Sequence, residues 1–508
     1  MISLWMWLAF ALGALLAGTL ASLWSAGRFA KLRRGADSSV IPPGQGGALD
    51  DLLTPFEDAH PGSSGVALVD DPVQALAVRR AMAQLASRSL DLLYYIWDDD
   101  LSGRILAQDL LEAADRGVRV RMLLDDVHVL NHDPIYRALD RHPRIEIRIF
   151  NPIRNRGRGL RRGLEILVSL MPYNRRMHGK LWLVDGRLGM TGGRNIGDAY
   201  FDLLPAPDVN YDDLDTLLAG SVLRPAEALF DAFWNSGLAL PIRTLWPGKR
   251  SRLRRFRGRL SQFLRSAEAR SRINRLRLPP AEDAAQVLAL NGLRWSPDVI
   301  FLGDPPQKAL GQAPDGWMPV SLRPLIANAH SSVRILTPYF VPGAQGLQAL
   351  VTLARSGVRV DVVTNGLALA DNVFVYGAYR WYRARLLAAG VHIYEVASDT
   401  PPGRMLHSKA ILVDGQRGFV GSFNFDLRSA FLNTELGVIV EDPGLIGELA
   451  TVFDSLTAPN RAYSLALNGR WPAWSRGEAP ATMLEPDSTM LKRLVSFLIG
   501  HLPIHRFL

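Results

Sequence analysis

Five residues recur at one fixed spacing: His178-x-Lys180-x4-Asp185-x6-Gly192-x2-Asn195 and His407-x-Lys409-x4-Asp414-x6-Gly421-x2-Asn424. At about 5 % per fixed residue, one copy would arise by chance less than roughly once per million starting positions, so two copies imply duplication. An imidazole can attack an electrophile or move a proton, and an ammonium two residues away can offset negative charge beside it. The chain reads as two catalytic half-sites.

Residues i and i+2 of a strand project from one face, so each histidine points with its lysine. The apolar runs Leu181-Trp182-Leu183-Val184 and Ala410-Ile411-Leu412-Val413 suit strands buried on both faces. Each ends at an Asp-Gly turn, at Asp185-Gly186 and Asp414-Gly415. A second strand, Leu188 to Thr191 or Gly418 to Val420, then leads into the glycine-rich corner carrying Asn195 or Asn424. Such a corner can bring backbone and an amide donor close to an anion.

The double motif resembles the phospholipase D superfamily, whose two halves each contribute a histidine, a lysine and an asparagine to one shared site. Gly192-Gly193-Arg194-Asn195-Ile196-Gly197-Asp198-Ala199-Tyr200 and Gly421-Ser422-Phe423-Asn424-Phe425-Asp426-Leu427-Arg428-Ser429 are similar to the bacterial cardiolipin synthases, especially the cardiolipin synthase C subgroup. Asn433-Thr434-Glu435 and the run Leu336 to Pro342 strengthen the similarity. The resemblance implies attack by one imidazole on a phosphodiester to give a phosphohistidine, with the other protonating the leaving alkoxide and later deprotonating the acceptor alcohol. Lys180, Lys409, Asn195 and Asn424 would offset the phosphoryl charge without a metal or cofactor.

By the same resemblance His178 is the nucleophile and His407 the acid/base, although the near-symmetry leaves the order open. Each ring needs an acceptor for its second nitrogen. Glu435 sits where the family places that carboxylate, and Asp213 is its first-half counterpart, with Asp215 competing. Asp185 and Asp414 belong to the repeated set, but each closes a strand and is expected to bind a basic group or backbone amides.

Hydrophobic residues make up 48 % of the 508, enough for two substantial cores. Strand and helix patterns alternate alike in both halves: 90–97, 104–115 and 118–124, then 333–337, 346–355 and 358–363. The expected fold is α/β, with two tandem phospholipase D-like α/β sandwich domains sharing one active site and an N-terminal transmembrane helix. Expected boundaries are 1–27 for a transmembrane anchor or signal, 28–60 for a linker and 61–245 for the first half. A basic amphipathic insertion follows at 246–290, then the second half at 291–460 and a membrane-proximal extension at 461–508.

Met1 to Gly27 carries no charge, long enough for a span, with Arg28, Lys31, Arg33 and Arg34 behind it. Those cations favour a retained anchor in a bacterial inner membrane with the catalytic body on the cytoplasmic side. The stretch Ser38 to Gly47 suits a flexible tether. Cysteine is absent, which removes disulfides and thiolate chemistry. The ten histidines do not gather with carboxylates at ligand spacing.

The net charge of +9 suggests anionic partners. Twelve basic residues against Glu268 occupy 249–277, with Leu253, Phe256, Leu260, Phe263 and Leu264 at helical spacing, a pattern suited to an anionic lipid surface. Similar mixtures occur at 154–176 and 491–499. Tyr339 to Pro342 and the aromatic helix Phe374, Tyr376, Tyr379, Trp381, Tyr382 are candidate pocket walls.

These features point to a membrane phosphatidyltransferase making cardiolipin from a donor phospholipid and phosphatidylglycerol, its partners phospholipids and a membrane. Phosphatidylethanolamine is a second candidate donor, and the need for an accessory protein is open. Hydrolysis by a phospholipase D is the alternative, a nuclease the weaker one, and a non-catalytic membrane scaffold the rival outside enzymology.

Overall fold

The computed structural model describes residues 4–29, 34–157, 159–205, 207–245, 252–288, 292–399 and 404–501. Two mixed sheets dominate. The first runs Arg294–Ser296, Ser64–Val69, Asp215–Gly220, Leu188–Gly192, Leu181–Val184, Ser89–Tyr94, Arg119–Asp125, Ile145–Phe150, Ala239–Pro241. The second runs Val299–Gly303, Leu436–Val440, Arg417–Gly421, Ala410–Val413, Ser332–Leu336, Arg359–Asn365, His392–Val396, Ala462–Asn468, Trp471–Arg476, Ala479–Thr482. From Ser64–Val69 and from Val299–Gly303 onward, eight strands follow one order in both, as duplication requires.

The motif strands Leu181–Val184 and Ala410–Val413 are buried along their whole length, which their apolar runs anticipate. The strands Ser89–Tyr94 and Arg119–Asp125 pair in parallel, and so do Ser332–Leu336 and Arg359–Asn365. A parallel neighbour needs a crossover, supplied by helices Leu101–Asp115 and Gly343–Arg355. All six expected elements are present, displaced by a few residues at their ends.

The halves are fused rather than tethered. One apolar layer joins Leu183, Leu218, Phe230 and Phe233 of the first half to Leu412, Val438, Leu449 and Phe453 of the second. The helices Leu223–Trp234 and Pro443–Thr457 supply much of it.

Four expectations change. Among the described residues no helix is long and apolar enough to cross a membrane, so the transmembrane helix at 1–27 is not borne out. Residues 1–3 lie outside the described residues, as do Lys31 and Arg33. A helix does form at Leu4–Phe29, and its side chains are described at 6–21.

The expected tether is docked on the first half. Ser38 and Val40 donate backbone N–H groups to Asn235 and Asp231, and Arg148 and Arg121 donate to the Ala36 and Ser38 carbonyls. Helix Ala48–Ala59 then buries Leu49 and Leu53 completely in the first-half core.

Of the basic insertion, 246–251, including Lys249, and 289–290 lie outside the described residues. Its helices Leu253–Leu264 and Ala267–Leu276 turn their apolar stripe inward: Leu260 is buried, and Leu253, Phe256, Phe263 and Leu264 pack against the first-half core. Arg257 and Arg272 pair with Asp115 and Asp198. The stripe suited to lipid is spent on folding.

The extension from 461 is no separate appendage, because Ala462–Asn468 pairs antiparallel with His392–Val396 and extends the second sheet. Residues 502–508 lie outside the described residues.

Phe453 is fully buried in the layer joining the halves, with the Arg334 guanidinium over its ring. Phe453→Ala is expected to cost about 3–5 kcal/mol of stability in chemical denaturation, with one loss of structure shared by both halves.

Candidate active site

Each motif enters the site from a strand stapled to the other half. Met177 bridges Thr434 in parallel, and the N–H groups of His178 and Gly179 both donate to the Thr434 carbonyl, at 2.9 and 3.1 Å. On the opposite side Arg404–Leu406 pairs in parallel with Asn210–Asp212, and His407 and Ser408 both donate to the Asp212 carbonyl, at 2.8 and 3.0 Å. Thr434 and Asp212 immediately precede Glu435 and Asp213. The backbone pairing therefore delivers each carboxylate to the opposite half's histidine: His178 Nδ1 lies 2.9 Å from Glu435 Oε2, and His407 Nδ1 lies 2.6 Å from Asp213 Oδ2.

Both carboxylates are buried and themselves held. Glu435 Oε2 accepts from Ser422 Oγ at 2.5 Å, and its backbone N–H donates to Asp304, which is paired with Lys308. Where the second half has Ser422, the first has Gly193. A Cβ there would lie 2.0 Å from the Asp213 carboxylate, so glycine is required. Asp213 is the first-half partner, and the competing Asp215 is engaged by Arg79 and Arg194.

Burial would raise both acids. The hydrogen bond from His178, the Lys180 charge and the Ser422 hydroxyl nevertheless hold Glu435 below the usual carboxylate range. Lys409 and His407 hold Asp213 down likewise. With each carboxylate ionised, the Nδ1–H of each imidazole is the donor and each Nε2 is left for chemistry. Burial draws His178 down to about 4 and His407 to about 3, and the neighbouring lysines reinforce this, so both rings rest neutral at pH 7.

Lys180 and Lys409 are 1 % exposed. Burial, with Lys409 adding to the effect on Lys180, lowers them to about 7 and about 8. The charges of Lys180 and Lys409 act on both histidines, so the two motifs form one site.

The asparagines behave differently. Asn195 receives the Ile96 N–H on Oδ1 and donates through Nδ2 to the Tyr200 hydroxyl. Asn424 is buried with its Oδ1 unpartnered.

Asp185 and Asp414 stand apart from this cluster, at the far ends of the motif strands and in the left-handed region (φ 54° each). Asp185 accepts the N–H groups of Ser87, Arg88 and Ser89, and Asp414 those of His330, Ser331 and Ser332. They anchor the start of the neighbouring strand in each sheet, the backbone-amide role expected of residues that close a strand, and not a catalytic one. The proposed wall residues Tyr376 and Tyr379 also turn away, donating hydroxyls to buried Glu395. Tyr339 donates to Asp371.

Three aromatic residues escaped the sequence reading as site components. Tyr95 lies edge-on to His178 at 4.9 Å, Tyr200 edge-on to His407 at 5.2 Å, and Tyr211 stacks on His407 at 5.1 Å. The only local hint was their position: Tyr95 just beyond the strand beside motif one, Tyr200 five residues after Asn195, and Tyr211 two before Asp213.

Residues 80–234 and 322–457 match the family model described as "Cardiolipin synthase, PLD-like domain". Cardiolipin synthase C of Escherichia coli (strain K12) is 33 % identical over 487 residues, covering 90 % of this chain and 98 % of that one. Cardiolipin synthase A of Citrobacter koseri is 28 % identical, covering 80 % and 71 %. Among solved structures, phosphatidylserine synthase of Haemophilus influenzae Rd KW20 superposes with a TM-score of 0.52 over 80 % of this chain and 90 % of that one; at 13 % identity it speaks to the fold alone.

Asp185→Ala should cost about 1–3 kcal/mol, because three backbone amides, that of Ser89 buried, lose their acceptor, while kcat stays within a few-fold of wild type. The ammonium forms of Lys180 and Lys409 carry the charge that can hold an anion, and raising pH through about 7 to 8 removes it. A profile of kcat/KM should therefore fall across that range, far below the 10.5 of an ordinary lysine.

Proposed function

Because the chain belongs to the cardiolipin synthase family of phospholipase D-like enzymes, we propose that it moves a phosphatidyl group from a donor phospholipid to the glycerol hydroxyl of phosphatidylglycerol, making cardiolipin at a bacterial inner membrane. The observation that carries this reading is the exchanged pair, His178 with Glu435 and His407 with Asp213, around two buried lysines.

Neutral His178 attacks phosphorus through Nε2, and the bond from phosphorus to the donor head-group oxygen breaks. Lys180 and Lys409 offset the charge on the non-bridging oxygens. Binding the anionic diester opposes the desolvation that keeps His407 neutral, and Asp213 stabilises the imidazolium, so His407 can hold the proton it gives the leaving alkoxide. In the second half-reaction His407 Nε2 takes the proton from the acceptor hydroxyl, the oxygen attacks phosphorus, and the bond to His178 breaks.

Transfer needs an alcohol to outcompete water. His178 and His407 are only 8 % and 7 % exposed, so bulk water has little access to either ring.

In vesicles of labelled phosphatidylglycerol with and without phosphatidylethanolamine, the expected product is cardiolipin, with glycerol or ethanolamine identifying the donor. His178→Ala should abolish turnover, and His407→Ala should lower kcat by about 100- to 10,000-fold. Glu435→Gln, which unsettles the His178 tautomer, should cost about 10- to 100-fold. Phosphatidic acid as the sole product would replace transfer by hydrolysis, and histidine-dependent cleavage of DNA in place of lipid would overturn the reading.

A further inference from the structure

Two amphipathic basic helices in this chain meet opposite fates. Leu253–Leu264 turns its apolar stripe into the first-half core. The C-terminal helix Met490–His501 seats Ser496 and Ile499 on helix Val373–Ala388, in a crossing so close that a Cβ on Gly377 would lie 2.6 Å from Ile499. Its other side leaves Leu491, Leu494 and Leu498 in water, 70 %, 56 % and 55 % exposed, with Met490 and Phe497 alongside. Positions 490, 491, 494, 497 and 498 fall within about a third of the helical circumference, forming one stripe.

The basic residues of this helix are committed inward. Arg493 donates to the Glu485 carbonyl and Ser488 Oγ. Lys492 Nζ donates to the Ala368 and Ala370 carbonyls. That second contact ties the helix to the site. The next residue, Asp371, accepts the Tyr339 hydroxyl at 2.6 Å, and its charge acts on Tyr211, the ring stacked on His407. Three residues on, Phe374 opens helix Val373–Ala388 with its ring 55 % exposed.

We propose that the stripe of helix Met490–His501, with Phe374, is the surface that seats the enzyme on a phospholipid bilayer beside the mouth of the active site. This rests on the phosphatidyl-transfer reading. A convex single-helix stripe offers no groove for a peptide, and its lack of uncommitted cations makes the contact one of apolar insertion rather than attraction to anionic head groups. The helix that carries the seat is held through Lys492 by residues 368–370, next to Asp371 and the Tyr339 and Tyr211 rings of a site whose substrates reside in a bilayer.

The chain has no cysteine, so a fluorophore sensitive to polarity can be placed on Leu494→Cys alone, with Glu112→Cys on helix Leu101–Asp115 as control. With vesicles of phosphatidylglycerol and phosphatidylethanolamine, emission from position 494 should shift to the blue and be quenched by nitroxides in the acyl chains, equally at low and high salt. Position 112 should respond to neither. The variant Leu491→Ser/Leu494→Ser/Leu498→Ser should lose about tenfold or more in turnover of vesicle lipid, yet match wild type on short-chain phospholipid dispersed as monomers.

Absence of quenching at 494, or wild-type vesicle turnover in the triple variant, overturns the seat. So does a wild-type dimer in sedimentation velocity that the triple variant converts to monomer without change in vesicle turnover, which would make a second copy the occupant. If the wild type turns over neither lipid, the transfer reading fails, and quenching at 494 still decides the seat.

Discussion

Everything in the site depends on an exchange of carboxylates across the interface of the two halves. A neutral imidazole does not by itself keep its proton on Nδ1, and an acceptor there fixes that tautomer and leaves Nε2 free for chemistry. Glu435 does this for His178 and Asp213 does it for His407, at 2.9 and 2.6 Å. Neither half can complete its own histidine. The apolar layer that fuses the sheets is thus a condition of the chemistry as well as of stability.

The exchange also accounts for charge that would otherwise be costly to bury. Two lysines, two histidines and two acids lie within one poorly solvated region, where an unpaired ion costs several kcal/mol. Each acid faces an imidazole and a lysine of opposite tendency, and further polar groups hold the acids in place: Ser422 and Asp304 with Lys308 for Glu435, Arg194 for Asp213. The desolvation that remains draws the lysines and histidines down in pKa. That leaves both imidazoles neutral and makes the lysines' charge sensitive to pH near neutrality.

Outside the site, the same amphipathic pattern serves two ends. The stripe of Leu253–Leu264 fills a place in the first-half core, whereas that of Met490–His501 faces water because Ser496 and Ile499, on its other side, already make the packing contact. Periodicity specifies that a face is apolar, not what covers it. The N-terminal apolar run posed a similar question. It forms the helix Leu4–Phe29, with Trp7, Phe10 and Leu15 exposed, and among the described residues it does not qualify as a span.

The sequence by itself determined whatever follows from neighbours along the chain. His178 beside Lys180 and His407 beside Lys409 come from strand period; the buried motif strands come from apolar runs; the repeated strand order comes from duplication. The candidates Glu435 and Asp213 were legible too, by resemblance. Only the tertiary structure decided which acid serves which histidine, because those partners lie 257 and 194 residues apart and meet through pairing between different halves. It also decided that Tyr95, Tyr200 and Tyr211 line the rings, and which amphipathic face stays open. Each of those depends on what packs opposite a residue, and local spacing carries no record of that.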